Sequence, residues 1–249
     1  VELFFAFISP QNELQLPAIL SLKSIVVNYG NYATFDFSPL QNCETIEINS
    51  TNSNITTSVI TNQLTQLKSL RVVGSPLTQL DLQTNVNLEN LSLQDCSNLS
   101  VLNLTQQSQL ISINLLQLDQ ITQLDLSNKP ALISAIIFNC PQLNQIQLTG
   151  SSAIQILRVF DTALTSIALN DCLALEELML TYVSPQFTSL DLSQNTQLVR
   201  LSVTANGITQ LDLTNQTLLQ YVSLTTLQLN DLNLQNTVAI KQLSLNTIP

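Results

Sequence analysis

The chain contains no histidine and no tryptophan, one methionine and four glycines. Without histidine, the usual catalytic triads, proton shuttles and most zinc sites are out of reach. Gly30, Gly74, Gly150 and Gly207 stand far apart, so no glycine-rich loop can cradle a phosphate. No Cys-x-x-Cys pair occurs. Charged residues make up only 10% of the chain, against roughly 25% in ordinary soluble domains. Seven basic residues (Lys23, Lys68, Arg71, Lys129, Arg158, Arg200, Lys241) face seventeen acidic ones, for a net charge of −10. Nucleic acid is therefore a poor partner, because phosphate binding needs clustered Lys and Arg. An anionic membrane surface is disfavoured for the same reason. No apolar run reaches the ~18 residues of a spanning helix, so no membrane insertion is expected. No catalytic set, metal site or cofactor site emerges, and the chain reads as a non-enzyme.

What the chain has instead is a period. The second apolar residue of successive Leu-x-Leu units forms the series Val27, Ile48, Val72, Leu93, Leu115, Ile137, Val159, Leu180, Val203, Leu224, Leu245, in steps of 21 to 24 residues. A second series lies between: Leu16, Phe37, a weak member near Ile60, then Leu82, Leu104, Leu126, Leu148, Leu169, Leu192, Leu213, Leu234. A fixed period of this size marks a solenoid. Alternation at period two puts both leucines of Leu211-Asp212-Leu213 on one side of a strand and Asp212 on the other. Polar runs such as SQNTQ and TNQT suit the corners. No window carries a sustained 3.6-residue stripe. The expected fold is a β-rich repeat solenoid, a rod with parallel β-sheets on two faces and little or no helix. Stacked turns share one core because a single turn cannot bury its own leucines.

The units LTQLDLQTNVNLENLSLQDCSN, ITQLDLSNKPALISAIIFNCPQ and FTSLDLSQNTQLVRLSVTANG resemble bacterial leucine-rich repeats, of the short type, about 21–22 residues, found in internalin-like surface proteins. The resemblance covers nearly the whole chain. It implies secretion, surface display and binding, with no catalysis. One departure stands out. The asparagine after the strand, present at Asn206, is replaced by Cys96, Leu118, Cys140, Thr162 and Val183. A buried asparagine ladder is therefore expected to be absent.

Along the chain, residues 1–13 break the period and are expected to form a capping strand or one that exchanges into a neighbouring molecule. Residues 14–76 are degenerate repeats, with an extruded loop expected over Ser50–Thr61. Residues 77–249 are the regular repeats of one continuous solenoid. The opening VELFFAFISP lacks the basic flank and cleavage site of a signal peptide, so a processed or excised start is expected. Cys43, Cys96, Cys140 and Cys172 fall at spacings unsuited to bridges and read as small buried hydrophobes.

Two outward columns carry the functional expectation. On the Leu-Asp-Leu side, Asp191 and Asp212 should be neighbours about 5 Å apart. A calcium ion would relieve their repulsion, yet a solvated stripe without metal is the expectation. On the other sheet the outward positions are polar at both ends and apolar in the middle. There Leu116, Ile136, Phe138, Phe160 and Met179 should cluster with Arg158 among them. Apolar patches of this kind mark interfaces, and aromatic, Met and Arg residues are enriched in them. With no tryptophan and four tyrosines, a carbohydrate is a weaker candidate than a protein. The leading expectation is an extracellular, cell-surface binding or adhesion module holding a protein partner on that face. The alternative is a structural subunit that self-associates end to end into a filament, through Phe4, Phe5 and Phe7 at one end and Leu243 and Leu245 at the other.

Overall fold

A computed structural model describes residues 2–6, 13–14, 16–28, 33–50, 58–225 and 228–246. The chain divides into two compact units, Val1–Ile121 and Thr122–Pro249. The first holds β1 (Glu2–Ala6), β2 (Glu13–Leu14), β3 (Ser24–Asn28), β4 (Thr34–Asp36), β5 (Thr45–Asn49), β6 (Ser58–Ile60), β7 (Ser69–Val73), β8 (Gln79–Asp81), β9 (Asn90–Gln94) and β10 (Ser112–Leu116). The second holds β11 (Gln123–Asp125), β12 (Ser134–Cys140), β13 (Gln145–Gln147), β14 (Ile156–Thr162), β15 (Glu177–Thr181), β16 (Arg200–Thr204), β17 (Gln210–Asp212), β18 (Tyr221–Thr225), β19 (Asp231–Asn233) and β20 (Gln242–Asn246). No helix occurs among the described residues. Each unit is a β-solenoid.

In the first unit the longer strands pair in parallel in the order β1-β3-β5-β7-β9-β10, and the shorter ones as β2-β4-β6-β8. In the second, β12-β14-β15-β16-β18-β20 pair in parallel, with β11-β13 and β17-β19 as short pairs. The register is in phase turn after turn: Ile137 faces Val159, which faces Leu180, which faces Val203, which faces Leu224. All five are buried, as are Ile48, Val72, Leu93 and Leu115 in the first unit. Burying such side chains stabilises the fold by roughly 1.5–3 kcal/mol each. Phe35 and Phe37 stack in the degenerate region with ring centroids 6.0 Å apart, filling the place of leucines.

The shorter strands stop where they do because of their outward residue. In seven turns an Asp or Asn carboxyl or amide oxygen accepts the backbone N–H two residues on, at 2.8–3.1 Å: Asp36, Asp81, Asn103, Asp125, Asp191, Asp212 and Asn233. The oxygen takes the place of a strand partner and turns the chain. The aspartate column is thus a set of turn caps, where the sequence suggested only a solvated stripe. The Ser193 N–H holds the Asp191 carboxyl below its ordinary range.

The structure adds to two sequence expectations and corrects a third. First, the asparagine after the longer strand is replaced as read, and a mixed Asn, Gln and Ser ladder lies instead on the corner after the shorter strand. Asn85, Gln107, Ser151, Asn195 and Gln216 occupy it, all buried. Asn85 Nδ2 donates to the Thr61 and Leu64 carbonyls, Gln107 Nε2 to Leu82, Asn195 Nδ2 to Leu169 and Cys172, and Gln216 Nε2 to Leu192, all at 2.6–3.0 Å. Corner carbonyls have no strand partner, and buried they must find a donor. Second, the weak repeat member expected near Ile60 is Thr61. Ile60 pairs with outward Asp81, while buried Thr61 donates to Asn85 Oδ1 at 2.9 Å. Third, the expected loop is narrower than Ser50–Thr61. Ser50 and Thr61 are buried and Ser58–Ile60 is a strand; residues 51–57 lie outside the described residues.

All four cysteines are buried and none is joined in a disulfide. Burial pushes the thiols of Cys96 up to about 12, of Cys172 to about 11, and raises that of Cys43. The thiolate is the reactive form. Native protein at pH 8 is therefore expected to leave Cys43, Cys96 and Cys172 unlabelled by maleimide over minutes, with full labelling in denaturant. Rapid native labelling at any of the three, read by peptide mass, would contradict this packing.

Candidate functional site

The outward face of the long strands in the second unit carries three columns. Across β12 to β18 they run Ser134, Ile156, Glu177, Arg200, Tyr221; then Ile136, Arg158, Met179, Ser202, Ser223; then Phe138, Phe160, Thr181, Thr204, Thr225. Alternation puts these residues outside because their neighbours Leu157, Val159, Leu178 and Leu180 are taken by the core. The phase read from the sequence holds, so Ile136, Phe138, Arg158, Phe160 and Met179 share one face. Leu116 lies on β10 of the first unit, half-buried at the corresponding outward position of its own strand.

Phe138 is 43% exposed, a high value for a large aromatic. Its ring lies 5.8 Å from that of Phe160, tilted by 49°. Such a pair contributes about 0.5–1.5 kcal/mol beyond its buried area and so fixes both rings. Ile136 and Met179 stand in the neighbouring column and Ile156 in the one beyond it, all half-buried. Arg158 is engaged: its Nε donates to Glu177 Oε1 at 2.6 Å. Glu177 is the better covered of the two, with 16% of its side chain exposed. A charge-assisted bond of that length in a half-covered setting holds the guanidinium to Glu177. Two strands on, the Arg200 guanidinium sits 4.2 Å from the centroid of the Tyr221 ring.

The first of these columns escaped sequence reasoning. Its signal was available: Ile156, Glu177, Arg200 and Tyr221 each precede the first inward residue of a Leu-x-Leu unit and alternate outward with it. Glu176 precedes β15 and is exposed, and only Glu177 belongs to the sheet.

The ends of β7, β9, β10, β12, β14 and β15 are marked by backbone geometry. Asn139, Asp161 and Tyr182 all adopt left-handed φ values, 54°, 51° and 54°. Gly74, Asp95 and Gln117 do the same at the equivalent place in the first unit. Gly, Asn and Asp tolerate this region; for a tyrosine it costs roughly 1 kcal/mol or more. Tyr182 is also 66% exposed, so core packing does not offset the cost.

Of the residues considered for end-to-end contacts, Phe4 and Phe5 belong to β1, in register with Val26 and Val27 of β3. Phe7 lies outside the described residues. Leu243 and Leu245 on β20 are 41% and 48% exposed. Among the described residues no group of three or more His, Cys, Asp or Glu is arranged to hold a metal ion.

No protein-family model matches the chain, and no curated protein does. Solved structures do. The functional domain of InlJ from Listeria monocytogenes, described as including a cysteine ladder, superposes with a TM-score of 0.76 at 25% identity, over 89% of this chain and 48% of that one. This chain therefore spans about half the length of that domain. A leucine-rich-repeat protein of Leptospira interrogans gives 0.59 at 14% identity, over 91% of this chain and 67% of its own. TLR13, solved in complex with ssRNA13, gives 0.64 at 16% identity, over 91% and 40%. The last two are alike in fold alone.

Proposed function

We propose that this internalin-like leucine-rich-repeat solenoid is a non-catalytic binding module that works outside the cell, at or near a cell surface, and holds a protein partner on the outward face of β12, β14 and β15. The carrying observation is the exposed Phe138 ring, tilted against Phe160 and bordered by Ile136 and Met179 beside the Arg158–Glu177 pair. Rigid aromatic anchors with an arginine are the usual centre of a protein interface. Leu116 is a further contact candidate on the first unit. Support for an extracellular setting comes from the InlJ likeness and from a surface made polar by Asn, Gln, Ser and Thr, with few charges. A nucleic-acid ligand, as in the TLR13 structure, is disfavoured by the net charge of −10.

The test is a Phe138→Ala, Phe160→Ala double variant assayed against partner recovered by site-specific crosslinking. Each truncation should cost about 2 kcal/mol of binding, so together roughly a thousandfold in Kd. The strand core is untouched, and the thermal midpoint should stay close to that of the parent. Full-affinity binding by the folded variant would refute this reading.

A second reading is end-to-end self-assembly, through Phe4 and Phe5 on β1 and Leu243 and Leu245 on β20. Sedimentation of the purified chain separates the two. Concentration-dependent polymers that vanish in Leu243→Ser, Leu245→Ser support assembly, and a monomer at high concentration removes it.

A further inference from the structure

Beside the aromatic pair lies a group of residues that an apolar contact does not use. Phe160 is followed by Asp161, and on the next strand Thr181 is followed by Tyr182. The Thr162 N–H donates to the Tyr182 carbonyl at 3.3 Å, which sets the two corners side by side. Asp161 and Tyr182 hold the same left-handed conformation, so their side chains leave equivalent corners about one strand spacing, roughly 4.8 Å, apart. Among the described residues no cation pairs with Asp161. The nearest basic residue on its own strand, Arg158, is already neutralised by Glu177.

We infer that Phe160, Asp161 and Tyr182 form a receptor for one lysine or arginine side chain of the partner protein. This rests on the reading of the sheet face as a protein-binding surface, and it names the chemistry of one partner contact. The ring faces of Phe160 and Tyr182 attract a cation, and the carboxylate of Asp161 supplies the counter-charge. The net charge of −10 speeds the approach of a basic partner. Tyrosine at position 182 then has a reason to occupy backbone that Gly74, Asp95, Gln117, Asn139 and Asp161 fill at equivalent corners: it is the one aromatic among them, held in a strained conformation where the ring is needed.

The probe is a blocked Leu-Lys-Leu tripeptide, titrated into the full chain by amide NMR, with the Nε-acetyl-lysine peptide as comparison. The lysine peptide should shift the amides of Phe160, Asp161 and Tyr182 and bind about tenfold more tightly than the acetylated one. Tyr182→Asn and Asp161→Asn should each weaken it about fivefold or more. Tyr182→Asn should melt no lower than the parent, since asparagine suits the left-handed region. Glu89→Gln, which removes a remote negative charge, should leave the affinity unchanged. Equal binding of the acetylated peptide, equal loss in Glu89→Gln, or unaltered affinity in the Tyr182 and Asp161 variants would each overturn the inference. Those outcomes leave the Phe138 and Phe160 experiment standing, whereas full partner binding by the double alanine variant would remove the reading beneath it.

Discussion

Gly207→Ala is expected to lose about 3 kcal/mol of stability, near the upper end for an overpacked site. The added methyl would sit 2.3 Å from the Pro185 carbonyl oxygen and 2.8 Å from that of Phe187. Both obstacles are backbone, and neither can swing aside as a long side chain would. The Phe187 N–H is bonded to the Ser184 carbonyl at 2.9 Å, and the Phe187 ring is fully buried beneath the same turn. Relief therefore requires two packed corners to separate. Gly207 is not among the residues of positive φ, so close approach alone demands glycine here. For a chain of this size the thermal midpoint should fall by about 10 °C. Calorimetry of Gly207→Ala beside Gly150→Ala is informative. At Gly150 the strain comes from a φ of +73°, and the nearest atom to the new methyl is the Asn128 side-chain oxygen at 2.9 Å. That site should cost less, about 1–2 kcal/mol. A drop under about 1 kcal/mol at Gly207 would show that the corners are looser than the packing implies.

Asn195→Ala is expected to cost about 2–4 kcal/mol, although asparagine is a residue of ordinary surfaces. The Asn195 Nδ2 donates to the Leu169 carbonyl at 3.0 Å and the Cys172 carbonyl at 2.9 Å, with the whole side chain buried. Alanine leaves both carbonyls without a donor in a site too tight for easy solvation. Asn195→Asp should be worse still: it trades the donor for a carboxylate facing two carbonyl oxygens. The right comparison is Asn215→Ala. That exposed asparagine makes a similar bond, Nδ2 to the Ser193 carbonyl at 3.2 Å, but in water's reach. Its loss should fall within about 0.5 kcal/mol. Urea unfolding of the three variants decides the matter. If Asn195→Ala and Asn215→Ala are equally mild, the buried ladder does not hold the corners.

Part of the candidate site was legible before any coordinates. Once Ile137 and Val159 were assigned inward, Ile136, Phe138, Arg158 and Phe160 had to face out, and the pairing of β12 with β14 shows them doing so. The Arg158–Glu177 pair was not legible. The two residues are 19 apart, short of a full turn, so they meet on a diagonal between neighbouring strands. Nor was the posture of Tyr182, since a tyrosine gives no local sign that its corner needs a left-handed residue. Thr61 shows a case between these. The 24-residue step from Phe37 matches the long step from Ile48 to Val72, but a threonine in a leucine series is recognised only when its hydroxyl is seen bonded to Asn85.

By itself the sequence determined that leucines recurring at two places per period would lie on one side of short strands, and that such turns would stack. That much follows from local alternation and from the inability of a single turn to dry its own side chains. Only the tertiary structure decided which polar residues go inside. Asn195 and Asn215 are the same residue in neighbouring corners, yet one is sealed in and the other left in solvent. Their places differ by one residue, three past the inward Leu192 against two past the inward Leu213, and only at the first does the side chain meet carbonyls that the preceding turn leaves unpaired. Those are backbone groups, and it takes the stacking of one turn on the next to show that they need a buried donor there.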